Sequence, residues 1–309
     1  MRPLSLLVSA ALLSIAPWVH AQERYDTGFE ANADPSGESF SVGALSAQST
    51  AWQVDEEETA GSTRIVGSGE QPPQAGAQSL LQGPNSTVST EQPVSADRML
   101  IRAWHRGEGI NDLVAPEPGT PAAAVVAFEA VTPGTYTLRA FDGTASNFAP
   151  ASSSPALEVG EWNEVFISVN YATKTYDVAV GGQPYFAGLG FFDNTLSGFT
   201  GFRASSRTGS GIDTVSFVPS TGDADGDGWN DDREMQLLGG NALDPNRIPG
   251  DVNRDGATDL LDALFQARAF VGTVEASTLN LVDVSLTGQA TASDAELLFD
   301  WAAGRELPE

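Results

Sequence analysis

The chain has 309 residues, no cysteine, and 41 Asp and Glu against 15 Lys and Arg, a formal net charge of −26. That balance excludes nucleic acid as a partner, since the phosphate backbone is repelled, and it favours attraction of divalent cations. With no disulfide available, bound metal is one route to stability for an exported chain, and the length suggests about two domains.

Arg2 precedes an apolar run over residues 4–19, interrupted by Ser5, Ser9, Ser14 and Pro17. Val19-His20-Ala21 then offers small residues at the two positions a signal peptidase reads, so a signal peptide over 1–21 and export of the remainder are expected. The run is too short to span a bilayer, and no later segment is apolar enough to do so. Loss of residues 1–21 removes one Arg and no acid, taking the net charge to −27.

Residues 22–219 read as strands. Arg98-Met-Leu-Ile-Arg-Ala-Trp104, Thr135-Tyr-Thr-Leu-Arg-Ala-Phe141 and Glu164-Val-Phe-Ile-Ser-Val-Asn170 are β-branched and aromatic with period-2 alternation. Turn clusters separate them at Pro116-Glu-Pro-Gly119, Thr132-Pro-Gly134, Asp142-Gly143 and Gly181-Gly182. Many short strands without helical periodicity predict a two-sheet β-sandwich. The acidic run from Asp55 to Glu58 is consecutive, which predicts a solvated loop. Trp52, Trp104, Trp162, Phe191 and Phe192 are candidates either for a sugar-stacking platform or for the core.

The strand Tyr176-Asp-Val-Ala-Val180, followed by Gly181-Gly182 and the closing segment Gly211-Ile-Asp-Thr-Val-Ser-Phe-Val218, resembles the concanavalin A-like, laminin-G-type jelly rolls of bacterial surface proteins. Gly28-Phe29-Glu30 and Trp52 carry the likeness in the first half. The resemblance implies a recognition domain. It also implies a structural calcium held by acids near the first and last strands, here Glu30 and Asp213.

After Pro219 acidic, Gly-rich loops alternate with short helical spacing. Residues 223–234 match a twelve-residue EF-hand-like calcium loop: Asp223, Asp225 and Asp227 at positions 1, 3 and 5, Gly228 at position 6, the Trp229 carbonyl at position 7, Asp231 at position 9 and Glu234 at position 12. Calcium prefers six to eight hard oxygens, and Gly at position 6 permits the sharp reversal the loop needs. An acidic flexible linker is the bland alternative. Residues 251–262 repeat the pattern with Asp251, Asn253, Asp255, the Ala257 carbonyl, Asp259 and Asp262. Residues 283–294 repeat it with Asp283, Ser285, Thr287 and Asp294, where only the first and last are charged. This third loop is expected to bind calcium weakly or not at all.

The last two units share Asp-Val at their start, Gly at position 6, Asp-Ala at positions 12 and 13 and Gly at position 22 (Gly272, Gly304). With Pro249-Gly-Asp-Val-Asn-Arg-Asp-Gly256 they resemble the dockerin module over 249–304, so residues 249–309 are expected to form such a module. Its family binds calcium and docks onto cohesin domains through positions 10 and 11, here Leu260-Leu261 and Ala292-Ser293. Residues 220–248, with Leu243-Asp244-Pro245, resemble a thrombospondin type-3 repeat.

The expected fold class is therefore mainly β, a jelly-roll sandwich followed by a small α-helical calcium-loop module. No strand carries the alternating acids of a jelly-roll glucanase, and Gly-x-Ser-x-Gly and His-Glu-x-x-His are absent. Beyond the signal the one histidine is His105; as a base flanked by Arg102 and Arg106 it suits a lyase less well than a polar position on an outer sheet face. The expectation is a secreted, non-enzymatic calcium-binding protein. Its partners would be a polysaccharide and a cohesin-like protein or cell-surface component. A polysaccharide-degrading enzyme or accessory and a structural surface-layer component are the alternatives.

Overall fold

The computed structural model describes residues 25–29, 39–49, 51–56, 63–68, 73–74, 76, 78–84, 86–107, 113, 117–149, 156–206, 209–225, 231, 234, 242–243, 250–253, 258–273 and 291–303. The strands are β1 (Tyr25–Thr27), β2 (Gly43–Ala44), β3 (Trp52–Glu56), β4 (Arg64–Gly67), β5 (Gln78–Gln82), β6 (Ser86–Val94), β7 (Arg98–Gly107) and β8 (Val126–Thr132). They continue with β9 (Thr135–Asp142), β10 (Asn147–Phe148), β11 (Leu157–Glu158), β12 (Asn163–Asn170), β13 (Thr175–Val180), β14 (Gln183–Gly190), β15 (Phe199–Ser206) and β16 (Ser210–Pro219). Two helices follow, α1 (Leu260–Phe270) and α2 (Ala292–Ala302).

One nine-stranded sheet runs β14-β13-β12-β7-β16-β5-β4-β2, with β1 also on β16. Two smaller sheets share a core with it: β9 with β8, β10 and β11, and β15-β6-β3. The expected second layer is thus divided in two. Every described pairing is antiparallel.

Local chemistry sets the connections. The hairpin between β13 and β14 turns on Gly181 and Gly182, with φ of 58° and 75°, the double positive φ that a type I′ turn demands. Between β8 and β9 the turn is Pro133-Gly134, with Gly134 at φ 86°, as a type II turn requires. Asp55 and Glu56 lie in β3, opposite Thr87 and Ser86, so the acidic run begins within a strand instead of forming a loop.

Strand alternation builds the core. Met99 and Ile101 of β7, Val165, Ile167 and Val169 of β12 and Tyr176 and Val178 of β13 point into one cluster with Phe29, Trp52 and Phe191. Phe29 and Trp52 meet at 5.3 Å between ring centroids. The opposite face of the large sheet is also covered. Leu100, Phe166, Ala179 and Val218 form a second cluster with Ala242 and Leu243 from the segment after the sandwich. Among the described residues of the stretch expected as a separate calcium repeat, Ala242 and Leu243 therefore pack on the sheet and shield apolar side chains that would otherwise meet water.

The closing strand β16 has a break in it. Its first part pairs with β5 through Ser210–Ile212 and its later part with β1 through Val215–Phe217. At the junction the ladder to β7 shifts between Asp213 and Ser216, and Thr214 adopts φ 45°.

Candidate functional site

The three loops share one feature among their described residues: the acid at position 12 is buried. Glu234 is 1% exposed, and Asp262 and Asp294 are 0% exposed. In the second loop Asp262 Oδ1 accepts from the Val252 and Asn253 N–H groups at 2.8 and 3.0 Å, and Oδ2 from Asp259 N–H at 2.7 Å. The Asp259 carboxylate in turn accepts from Leu261 N–H at 2.7 Å, completing a capping box at the start of α1. One carboxylate thus ties the start of the loop to its end. Burial raises its pKa; three N–H donors oppose this, and the Asp251 charge adds to it. Asp251 itself is buried.

The third loop ends with the same device. Asp294 Oδ2 accepts from Thr291 N–H at 2.6 Å and from its hydroxyl at 2.7 Å. The helices behind the two loops pack together, burying Ala263, Gln266, Ala295 and Leu298. Positions 10 and 11 are turned outward: Leu260, Leu261, Ala292 and Ser293 are all exposed. Leu264, Phe270 and Phe299 extend the exposed apolar surface.

In the first loop Asp231 is stitched to the end of the sandwich. Its carboxylate accepts from the Ser220 hydroxyl and, at 2.8 Å, from Ala224 N–H, and its own N–H donates to Gly222 O at 3.0 Å. Burial raises its pKa, Ser220, Ala224 and the Arg98 charge lower it, and Asp223 raises it. Asp223 is exposed and Asp225 half-buried. Asp227, Trp229, Asp255, Ala257, Asp283, Ser285 and Thr287 lie outside the described residues. Among the described ones, no three His, Cys, Asp or Glu side chains are gathered as a metal site. The donor chemistry of the first two loops, hard carboxylate oxygens with part of the set already desolvated, suits calcium.

Of the second candidate pair, Glu30 lies outside the described residues. Asp213 is buried at the break in β16, where its carboxylate accepts from Gln74 N–H at 3.0 Å and Thr214 N–H at 2.8 Å. It holds the strand junction.

The aromatic candidates divide by face. Trp52 and Phe191 are core. Trp104 stands on the outer face of β7 with Arg98, Arg102 and Arg106, opposite Glu164 of β12, and Trp162 precedes that strand by one residue. Both tryptophans are half-buried. Arg102 Nη1 lies 3.9 Å from Glu164, and Arg106 Nε donates to the Gly160 carbonyl.

His105 departs from expectation. It faces inward, stacked on Phe128 at 3.9 Å between centroids and edge-on to Tyr136, because alternation along β7 puts it on the side of Ala103 and Ile101. Its Nδ1 is buried without a hydrogen-bond partner among the described residues, and burial lowers its pKa to about 4. Arg102 and Arg106 are on the other side of the strand, so the three do not converge.

No protein-family model matches the chain, nor does any curated protein. Among solved structures it is similar to domain 4 of AbnA, a GH43 extracellular arabinanase from Geobacillus stearothermophilus, in complex with arabinotriose. That likeness has TM-score 0.32 and 13% identity and covers 64% of this chain and 82% of that one. It is similar to a sialidase, with TM-score 0.34, 12% identity and coverage of 73% and 19%, spanning about a fifth of that chain. With the carbohydrate recognition domain of Emp47p the TM-score is 0.32, the identity 12% and the coverage 64% and 96%. Among the described residues no helix is long and apolar enough to cross a membrane.

Proposed function

We propose that this is a secreted, calcium-binding, non-enzymatic modular protein whose jelly-roll sandwich recognises a glycan and whose dockerin-like tail attaches it to a cohesin-like or other surface protein. The observation that carries the calcium reading is the burial of Glu234, Asp262 and Asp294 at the same position of three loops. A solvated acidic linker has no reason to bury the twelfth residue each time, since burying a carboxylate is costly unless it is paired. Calcium adds positive charge beside these carboxylates, beyond the N–H donors that Asp262 and Asp294 already have, and the acids of the first two loops coordinate it. The exposed leucines at positions 10 and 11 of the second loop support attachment, and the half-buried Trp104 and Trp162 beside arginines support sugar recognition.

Calorimetric titration of the full chain with calcium tests this. Two sites are expected in or below the range of extracellular modules, about 0.1–1 mM, and Asp262→Ala is expected to remove one of them. Asp283→Ala should leave the count unchanged at low calcium. Helical circular dichroism unchanged by chelator, with no heat of binding, would overturn the reading.

A further inference from the structure

We propose that the Trp104–Arg106 end of β7 binds the carboxylate of an acidic sugar, a uronic-acid unit of a polysaccharide; this rests on reading the sandwich as a glycan-recognition domain. Side chains two apart on a strand share a face and stand about 6.6 Å apart, so Arg102, Trp104 and Arg106 form one line on the outer face of the large sheet. Leu100 begins that line and is covered by Leu243; Arg102, with a side chain 17% exposed, follows, and the half-buried Trp104 and Arg106 lie farthest from that cover. The register adds Glu164 beside Trp104.

The arginines along this line differ in their commitments. Arg98 lies within reach of the Asp231 charge, and Arg102 faces Glu164. Arg106 makes one contact, from Nε to the Gly160 carbonyl. Its two terminal nitrogens have no hydrogen bond or ion pair among the described residues, and Glu161, exposed on the same turn, makes no ion pair with it. The Trp104 side chain likewise makes no hydrogen bond or ring contact among the described residues.

A pinned Nε leaves the Nη1–Nη2 edge as a fixed fork, the geometry that accepts a carboxylate in two parallel bonds. An indole face one strand step away suits the apolar face of a pyranose, with its N–H available to a hydroxyl. In a chain of net charge −26 general attraction of polyanions is absent, so selection of an acid falls to this local contact. If Arg106 serves only to fasten the Gly160 turn, its loss affects stability and leaves sugar preference alone.

The test is binding of trigalacturonate and trimannuronate to the full chain, each beside its neutral parent trisaccharide, at one fixed calcium concentration. An acidic trisaccharide is expected to bind roughly tenfold more tightly than its neutral parent, the worth of a charge-assisted contact. Arg106→Gln should erase that ratio while neutral binding persists, Arg106→Lys should restore part of it, and Trp104→Phe should remove the accompanying indole fluorescence change. A ratio unaltered in Arg106→Gln, or equal affinity for acid and neutral sugars in the parent, overturns the acidic-sugar proposal and leaves glycan recognition standing. Absence of binding to every trisaccharide in the parent sinks both.

Discussion

In the sandwich, Phe29, Trp52, Tyr176 and Phe191 fill the space between sheets with apolar side chains from many strands. In the described part of the tail the buried set is different: Asp231, Glu234, Asp251, Asp262 and Asp294 sit inside beside Gln266 and a few small or aliphatic groups, Ala242, Leu243, Val252, Ala263, Ala295 and Leu298. Apolar burial stabilises by about 25 cal/mol per Å² whatever ion is present. Buried carboxylates stabilise only when something offsets their desolvation, whether N–H donors, a hydroxyl or a cation. The same chain thus holds one region whose order is set by shape and another whose order is set by charge. Perturbations that act on one should leave the other largely alone.

The largest expected effect lies in the sandwich. Trp52→Ala removes a ring packed on Phe29 and Phe202 and should cost about 3–5 kcal/mol, read as a lower denaturant midpoint for the β-sheet signal. Calcium stoichiometry should not change; a lost calcium site would show that the two regions are one cooperative unit.

Next comes acid sensitivity. His105 has its pKa lowered by burial from 6.5 to about 4. Above pH 6.5 it is neutral in both the folded and the unfolded chain. As the pH falls from 6.5 toward 4 the unfolded chain takes up a proton that the folded one refuses, and about 3 kcal/mol of stability is lost. Chemical denaturation between pH 7 and pH 4 should show this slope for the parent and a flatter one for His105→Phe. Parallel slopes would place the protonation elsewhere.

The smallest effect sharpens the border between the regions. Leu243→Ala should cost about 2 kcal/mol by loosening the cover over Leu100, Phe166, Ala179 and Val218, and it should weaken calcium at the first loop without touching the second. Limited proteolysis should then cut earlier between residues 219 and 243. An unchanged cleavage rate would mean that the cover contributes nothing to order there.

Much of the sandwich is legible in the sequence because its turns are written in Pro and Gly and its strands alternate. The segments read at Arg98, Thr135, Glu164 and Gly211 reappear as β7, β9, β12 and β16 with ends moved by a few residues at most. The orientation of His105 is not legible, for a physical reason. In Met99-Leu100-Ile101 both parities are apolar, and that happens because the tail covers the outer face at Leu100. Alternation alone does not tell which side is the core when a distant segment buries the other. The loops proposed to bind calcium are legible as ligand spacing. The use of Asp262 to tie residues 252, 253 and 259 together depends on where backbone N–H groups converge, which spacing does not encode. The pairing of Trp104 with an Arg106 held only through Nε likewise emerges only once β12 fixes the neighbours of β7.

The position of β16 has a mechanical consequence. The tail leaves the sandwich at the C-terminal end of this strand, and β16 is an interior strand: β7 lies along one side, and β5 and then β1 along the other. A pull on the tail, parallel to the strand, is therefore resisted by ladders on both sides at once and loads their hydrogen bonds together, in shear. Were the same tail to leave from an edge strand, the bonds would open one at a time, like a zipper.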